Sequence, residues 1–258
     1  MSVAPLHVVR RGDGPPLILL HGFFSDHRLW APVVDALAAS HHCVSVDLPG
    51  HGRSATWRGA WADLLDQLDA LVEAYSAPVS VVGYSLGARV LGQLLQRRGA
   101  PIDAAVLISA NPGFASFAAE QRRQRDEELG ARMRAFPLQQ TVDEWAAQPI
   151  FEGQDRAPTP ALERQRALRL DQTPDGLAFA LTRFGAGTAS IEHAPTRGGR
   201  IVLISGDRLE IDRARAQALA SRWPDAELSW LEGCGHNPII EAPERLNARL
   251  RHLLQTTH

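Results

Sequence analysis

Hydrophobic and polar positions follow two different rhythms along the chain. Residues 17–21, 43–47, 79–83, 104–109 and 200–205 form short runs that are apolar on consecutive positions. Such runs mark strands buried on both faces of a parallel sheet. Weaker strand patterns cover residues 6–10 and 227–231. Helical spacing of apolar positions fills the intervals at residues 29–39, 60–75, 86–98, 213–222 and 243–254. Alternation of this kind predicts an α/β fold with a doubly wound, mostly parallel sheet and right-handed crossovers. One stretch breaks the rhythm. Residues 112–199 show no strand pattern, only helical, arginine-rich and proline-punctuated sequence. They are expected to form a helical lid insertion between core segments 1–111 and 200–258, placed over the carboxyl ends of the strands, where such sheets hold their sites.

The strongest chemical signal sits at the junction of a predicted strand and helix. Gly83-Tyr-Ser-Leu-Gly87 reads G-x-S-x-G, with Ser85 central. Glycines on either side permit a strained turn that lifts the serine hydroxyl above the sheet. Ser85 is therefore the expected nucleophile or base. The Leu86 N–H, at the helix start, can face developing negative charge. A second donor is expected from the Phe23 N–H in His21-Gly-Phe-Phe24, with His21 bracing the loop. The glycine-bearing segment from Asp47 to Ser54 reads as a structural turn. His236, glycine-flanked between the last predicted strand and helix, is the expected general base. Its acidic partner is less clear in the pattern, because Leu209 occupies the usual G-x-x-D position after Gly206. Asp207, Glu210 and Asp212 all lie nearby. Glu210, one residue late but longer, is favoured over Asp207; a loop without any orienting acid is the alternative.

Composition adds exclusions. The 27 basic residues are balanced by 29 acidic ones, and every basic residue is arginine. Without lysine there is no Schiff base and no Walker-type phosphate loop. A net charge of −2 argues against nucleic acid as a partner. Two distant cysteines, Cys43 and Cys234, give neither a disulfide framework nor a thiolate metal site. No secretory signal pattern is visible, and no apolar run reaches the roughly 18 residues a membrane span needs. The expectation is a cytoplasmic protein, monomer or homo-oligomer, that acts on a small molecule without a membrane partner.

Together the motifs resemble the α/β-hydrolase superfamily across nearly the whole chain. Within it, Gly83-Tyr-Ser-Leu-Gly-Ala-Arg89, Gln121-Arg-Arg-Gln-Arg-Asp126, Trp145-Ala-Ala-Gln-Pro-Ile-Phe151 and Ala167-Leu-Arg169 resemble the 2-succinyl-6-hydroxy-2,4-cyclohexadiene-1-carboxylate synthases of menaquinone biosynthesis. That resemblance implies a lyase that eliminates pyruvate from a carboxylated, succinylated cyclohexene with no metal or organic cofactor. It also implies that Arg89, Arg122 and Arg169 hold the carboxylates of an anionic substrate, while Tyr84 and Trp145 line the pocket. Arginine suits that task, being planar, permanently charged and bidentate. Arg123, Arg125, Arg132 and Arg134 are expected instead on a solvated helix face. The acid loop departs from the family, with Leu209 where an acid is usual and Ile211-Asp212 where a lysine–phenylalanine pair is usual. Alternatives are a carboxylic-ester or thioester hydrolase, and a pseudo-hydrolase that only binds.

Overall fold

A computed structural model describes residues 3–114 and 116–255; residues 1, 2, 115 and 256–258, which fall at the ends of the expected core segments and inside the expected insertion, lie outside the described part. Seven strands form one sheet: β1 (Val8–Arg11), β2 (Pro16–Leu20), β3 (His42–Val46), β4 (Val79–Tyr84), β5 (Ile102–Ile108), β6 (Arg200–Gly206) and β7 (Glu227–Leu231). Their order across the sheet is β1-β3-β2-β4-β5-β6-β7. Only β1 runs antiparallel, against β3.

The continuous apolar runs are explained by two-sided burial. In β2, Ile18 and Leu20 enter the core on one face of the sheet, while Leu17 and Leu19 enter the core on the other. Each such side chain, fully removed from water, contributes roughly 1.5–3 kcal/mol. The first face is covered by α2 (Trp61–Glu73), α3 (Leu86–Leu95) and α8 (Glu210–Arg222), through Leu64, Leu68, Leu91 and Leu219. The second is covered by α1 (Ala31–Leu37) and α10 (Pro243–Gln255), through Val33, Leu37, Leu246 and Leu250.

Two boundaries differ from the sequence reading. The helix expected at 29–39 is a 3-10 turn, His27–Trp30, followed by α1, because Pro32 sits in the first turn of the α-helix and resets its start. The helix expected from residue 213 begins a turn earlier, at Glu210. Its N-cap, Leu209, makes no side-chain cap, so the sequence carries no capping signal; the acids Glu210 and Asp212 in the first turn suit the positive helix end instead.

Between β5 and β6 the chain forms α4 (Ser116–Ala135), α5 (Leu138–Ala146), α6 (Thr159–Leu170) and α7 (Pro174–Phe184), with no strand among the described residues. Of these, α4, α5 and α7 enclose a small core of Met133, Val142, Leu177 and Leu181 that packs on Phe24, in the loop after β2. The short α9 (Pro238–Glu241) follows β7. The chain winds outward in one direction from β2 to β3 and in the other from β4 onward. Their carboxyl ends therefore form a topological switch point, where open α/β sheets place their crevice.

Candidate active site

At that switch point β4 turns sharply into α3. Ser85 adopts φ 51° and ψ −105°, a strained conformation for a residue with a Cβ. Two glycines make the turn possible. A Cβ on Gly83 would lie 2.4 Å from the Gly87 carbonyl oxygen, and one on Gly87 only 2.0 Å from that of Leu20. The Ser85 N–H donates to the Ile108 carbonyl at 2.9 Å and the Gly87 N–H to that of His21 at 3.0 Å, tying the elbow to β5 and to the loop after β2.

That loop carries Phe23. Two neutral histidines hold it. His21 donates from Nδ1 to the Gly22 carbonyl at 2.7 Å and accepts the Leu48 N–H at Nε2, 2.9 Å away. His51 donates to the Pro49 carbonyl and accepts the Phe24 N–H at 3.1 Å. Burial lowers both imidazoles and pushes His51 down to about 3, so neither carries charge at neutral pH. His21 is thus the expected brace, and the 47–54 turn supplies its partner. Phe23 and Leu86 both line the cavity above Ser85. Among the described residues, neither of their N–H groups has a hydrogen-bond partner, which leaves both free for an oxyanion.

His236 Nε2 lies 3.1 Å from Ser85 Oγ. Its Nδ1 lies 3.1 Å from each carboxylate oxygen of Asp212. A carboxylate only accepts, so Nδ1–H donates to Asp212 and Nε2 is left to accept the serine proton. This corrects the expectation for the acid. Glu210 is exposed, and Asp207 uses Oδ1 to accept the Gly233 N–H at 2.6 Å, stapling the loop after β6 to the loop after β7. The early start of α8 is the cause: Asp212, Ala216 and Leu219 form its buried stripe at i, i+4 and i+7, and Glu210 falls outside that stripe. Glu241, absent from the sequence reading, accepts the Gly235 N–H at 2.7 Å and the Asn237 N–H at 3.1 Å and so grips both neighbours of His236. Cys234 is buried and its thiol is pushed up to about 12, an inert filler.

The cavity above Ser85 has a volume of about 250 Å³. Tyr84 and Trp145 line it, as the resemblance implies, together with Phe151. Arg89 and Arg122 also reach it. Arg89 is almost completely buried; its Nη2 donates to the Phe184 carbonyl at 2.7 Å, while Nε has no partner. Burial, reinforced by repulsion from Arg122, pushes its guanidinium down to about 9. Arg122 donates from Nε to Asp126 at 2.8 Å. Arg169 lines an adjoining cavity, with its guanidinium 5.1 Å from the Phe151 ring centre and in electrostatic contact with Tyr84, so it borders the Ser85 cavity through two of that cavity's lining residues. Arg215 on α8, which the sequence reading passed over, does line the Ser85 cavity. Of the helix arginines expected to be solvated, Arg123, Arg132 and Arg134 make exposed pairs with Glu120, Glu144 and Asp175.

Away from the site, His7, His27 and Asp47 bring metal-ligand atoms together. Their chemistry reads as a brace rather than a metal centre. The buried Asp47 carboxylate already accepts from both imidazoles and from the His27 and Arg53 N–H groups, at 2.8–3.0 Å.

The serine, imidazole and carboxylate can pass a proton from Ser85 to His236. Comparison with known proteins agrees with this architecture. The pattern of the alpha/beta hydrolase family matches residues 17–249. A 2-succinyl-6-hydroxy-2,4-cyclohexadiene-1-carboxylate synthase of Salmonella schwarzengrund is 31% identical, over 99% of this chain and 100% of that protein. A pimeloyl-[acyl-carrier protein] methyl ester esterase of Nitrosomonas europaea is 28% identical, over 94% of this chain and 97% of that protein. The fold of MenH from S. aureus superimposes with a TM-score of 0.89 at 22% identity, covering 97% of this chain and 98% of that one. With one relative named a synthase and another an esterase, what they share is the family rather than the reaction: the chain is an enzyme of the alpha/beta hydrolase family.

Proposed function

We propose that the chain is a cofactor-independent lyase that eliminates pyruvate from a carboxylated, succinylated cyclohexene to give 2-succinyl-6-hydroxy-2,4-cyclohexadiene-1-carboxylate. The observation that carries this reading is a Ser85–His236–Asp212 relay opening into a cavity lined by the arginines Arg89 and Arg122. The similarity to a synthase of that name along the full chain supports it.

In this reading Ser85, its proton drawn off by His236, removes a ring proton beside the succinyl carbonyl. The C–H electrons move into the ring and the carbon–oxygen bond to the enolpyruvyl group breaks. The departing enol takes up a proton and becomes pyruvate. Negative charge on the carbonyl oxygen faces the Phe23 and Leu86 N–H groups. Asp212 stabilises the imidazolium that forms, and Arg89 and Arg122 orient the substrate carboxylates.

A second reading, a carboxylic-ester hydrolase, draws on the same relay and on the similarity to a methyl ester esterase. There Ser85 attacks an acyl carbon and becomes acylated. Intact-protein mass spectrometry during turnover separates the two. The lyase runs at full rate with Ser85 unmodified; an acyl adduct that accumulates on Ser85 and decays with turnover supports the hydrolase.

A further inference from the structure

Arg215 belongs neither to the relay nor to the residues that the synthase resemblance implies, yet it lines the cavity that holds Ser85. It stands one helical turn beyond Asp212 on α8, with Nη1 3.6 Å from Asp212 Oδ1. That separation is an ion pair but too long for a hydrogen bond. Both oxygens of Asp212 are already directed at His236. Consequently Nη1 is buried and has no hydrogen-bond partner. Burial lowers the guanidinium's pKa, Asp212 offsets part of that, and Arg122 lowers it again, so a like charge lies close by.

A buried donor left unmet is costly, and a buried cation more so. Here two arginines on different helices share that condition, since Nε of Arg89 is also without a partner. The cavity's three guanidiniums, on Arg89, Arg122 and Arg215, face only two paired carboxylates, on Asp126 and Asp212. Arg122 and Arg215 both lower the Arg89 guanidinium, so the three cations lie close together, and they exceed the paired carboxylates by one charge. The open donors of Arg89 and Arg215 therefore call for an acidic group from a ligand.

The geometry points to Arg215 as a specificity-determining residue that receives a carboxylate of the substrate, making the site selective for substrates that carry one beyond the reacting group. This deepens the proposed function and rests on its placing of the reaction at Ser85. Arg215 takes a carboxylate on the side of Asp212, and a neutral substrate leaves that guanidinium unsatisfied.

The test has one arm that depends on turnover and one that does not. Hydrolysis of mono-p-nitrophenyl glutarate, whose acyl chain carries a carboxylate, is compared with that of p-nitrophenyl butyrate. Arg215→Met is expected to reduce kcat/KM for the glutarate ester at least tenfold more than for the butyrate ester, and Arg215→Lys to restore part of the difference. Thermal unfolding of both variants confirms that they fold. Independently, calorimetry compares glutarate and butyrate on Ser85→Ala and on Ser85→Ala/Arg215→Met. Glutarate is expected to bind Ser85→Ala at least tenfold more tightly than butyrate, a preference lost with Arg215→Met; a preference that survives Arg215→Met would overturn the inference. Two esters that lose activity in equal proportion would show that Arg215 acts only through Asp212 and overturn the inference. Equal binding of glutarate and butyrate, or no binding of either, would overturn it as well. Absence of any ester turnover in the wild-type protein, with selective glutarate binding intact, would count against the reading of Ser85 while upholding that of Arg215.

Discussion

Replacing Asp212 by asparagine keeps the shape of the side chain and removes its charge. In the structure both oxygens lie 3.1 Å from His236 Nδ1, and both residues are almost fully buried. The carboxylate matters most when Ser85 has passed its proton on and His236 has become an imidazolium. With an effective dielectric of about 20, opposite unit charges at this spacing interact by about 5 kcal/mol. Each 1.4 kcal/mol is about tenfold in rate, so Asp212→Asn is expected to lower kcat/KM by about three to four orders of magnitude. Serine triads deprived of their acid lose activity on the same scale. The residual rate is that expected from the proposed Phe23 and Leu86 donors and from substrate positioning. Glu210→Gln, at an exposed position, should stay within about twofold of wild type, in line with other surface changes. Asp207→Asn weakens the bond to the Gly233 N–H and should cost stability more than rate. The assay is steady-state turnover of a chromogenic ester or of the diene precursor, with unfolding curves for each variant. Asp212→Asn retaining a tenth of the activity, or Glu210→Gln falling below it, would refute the assignment.

Other consequences are open to direct measurement. Gly87→Ala drives a Cβ to 2.0 Å from the Leu20 carbonyl oxygen, so it should destabilise by about 3 kcal/mol or more and lower Tm by at least about 6 °C; a Tm within a degree of wild type would contradict the close approach. His51 is pushed from 6.5 down to about 3 by burial, so the unfolded chain takes up a proton at a pH where the folded chain does not. Stability should therefore fall as pH drops from about 6.5 toward 3, read as a lower Tm at pH 5 than at pH 7.5; a flat profile would argue against a buried neutral imidazole. Burial pushes the Cys43 thiol up to about 11 and that of Cys234 to about 12, so a thiol reagent at pH 8 should leave the native protein unlabelled and modify both on denaturation; rapid labelling of native Cys234 would refute its role as a filler.

The parts of the site that a sequence can display are those fixed by local backbone. The elbow needs small residues at Gly83 and Gly87 within four positions, and the strand before it shows its own two-sided burial. Ser85, Leu86 and, through its position after β2, Phe23 were therefore legible, as was His236 between β7 and α9. The acid was not. Its position depends on where α8 starts, and with Leu209 as N-cap that start carries no side-chain signal. Counting the helix from Glu210 would have set Asp212 in register with Ala216 and Leu219 and exposed Glu210. Arg215 was hidden for the same reason. The arginines of the insertion depend on long-range packing. Arg122 and Arg169 both sit on lid helices and carry the same charge, yet Arg122 lines the Ser85 cavity while Arg169 lines the adjoining one, beside Phe151 and Tyr84. No local pattern records which of two adjoining cavities a helix faces.

The most direct test of the account is release of pyruvate from the enolpyruvyl cyclohexene precursor, followed through lactate dehydrogenase. The account predicts one pyruvate for each 2-succinyl-6-hydroxy-2,4-cyclohexadiene-1-carboxylate formed, at a rate well above the uncatalysed background, and reduced to near that background in Ser85→Ala. No pyruvate from the wild-type protein, under conditions where the same preparation hydrolyses esters through Ser85, would contradict it.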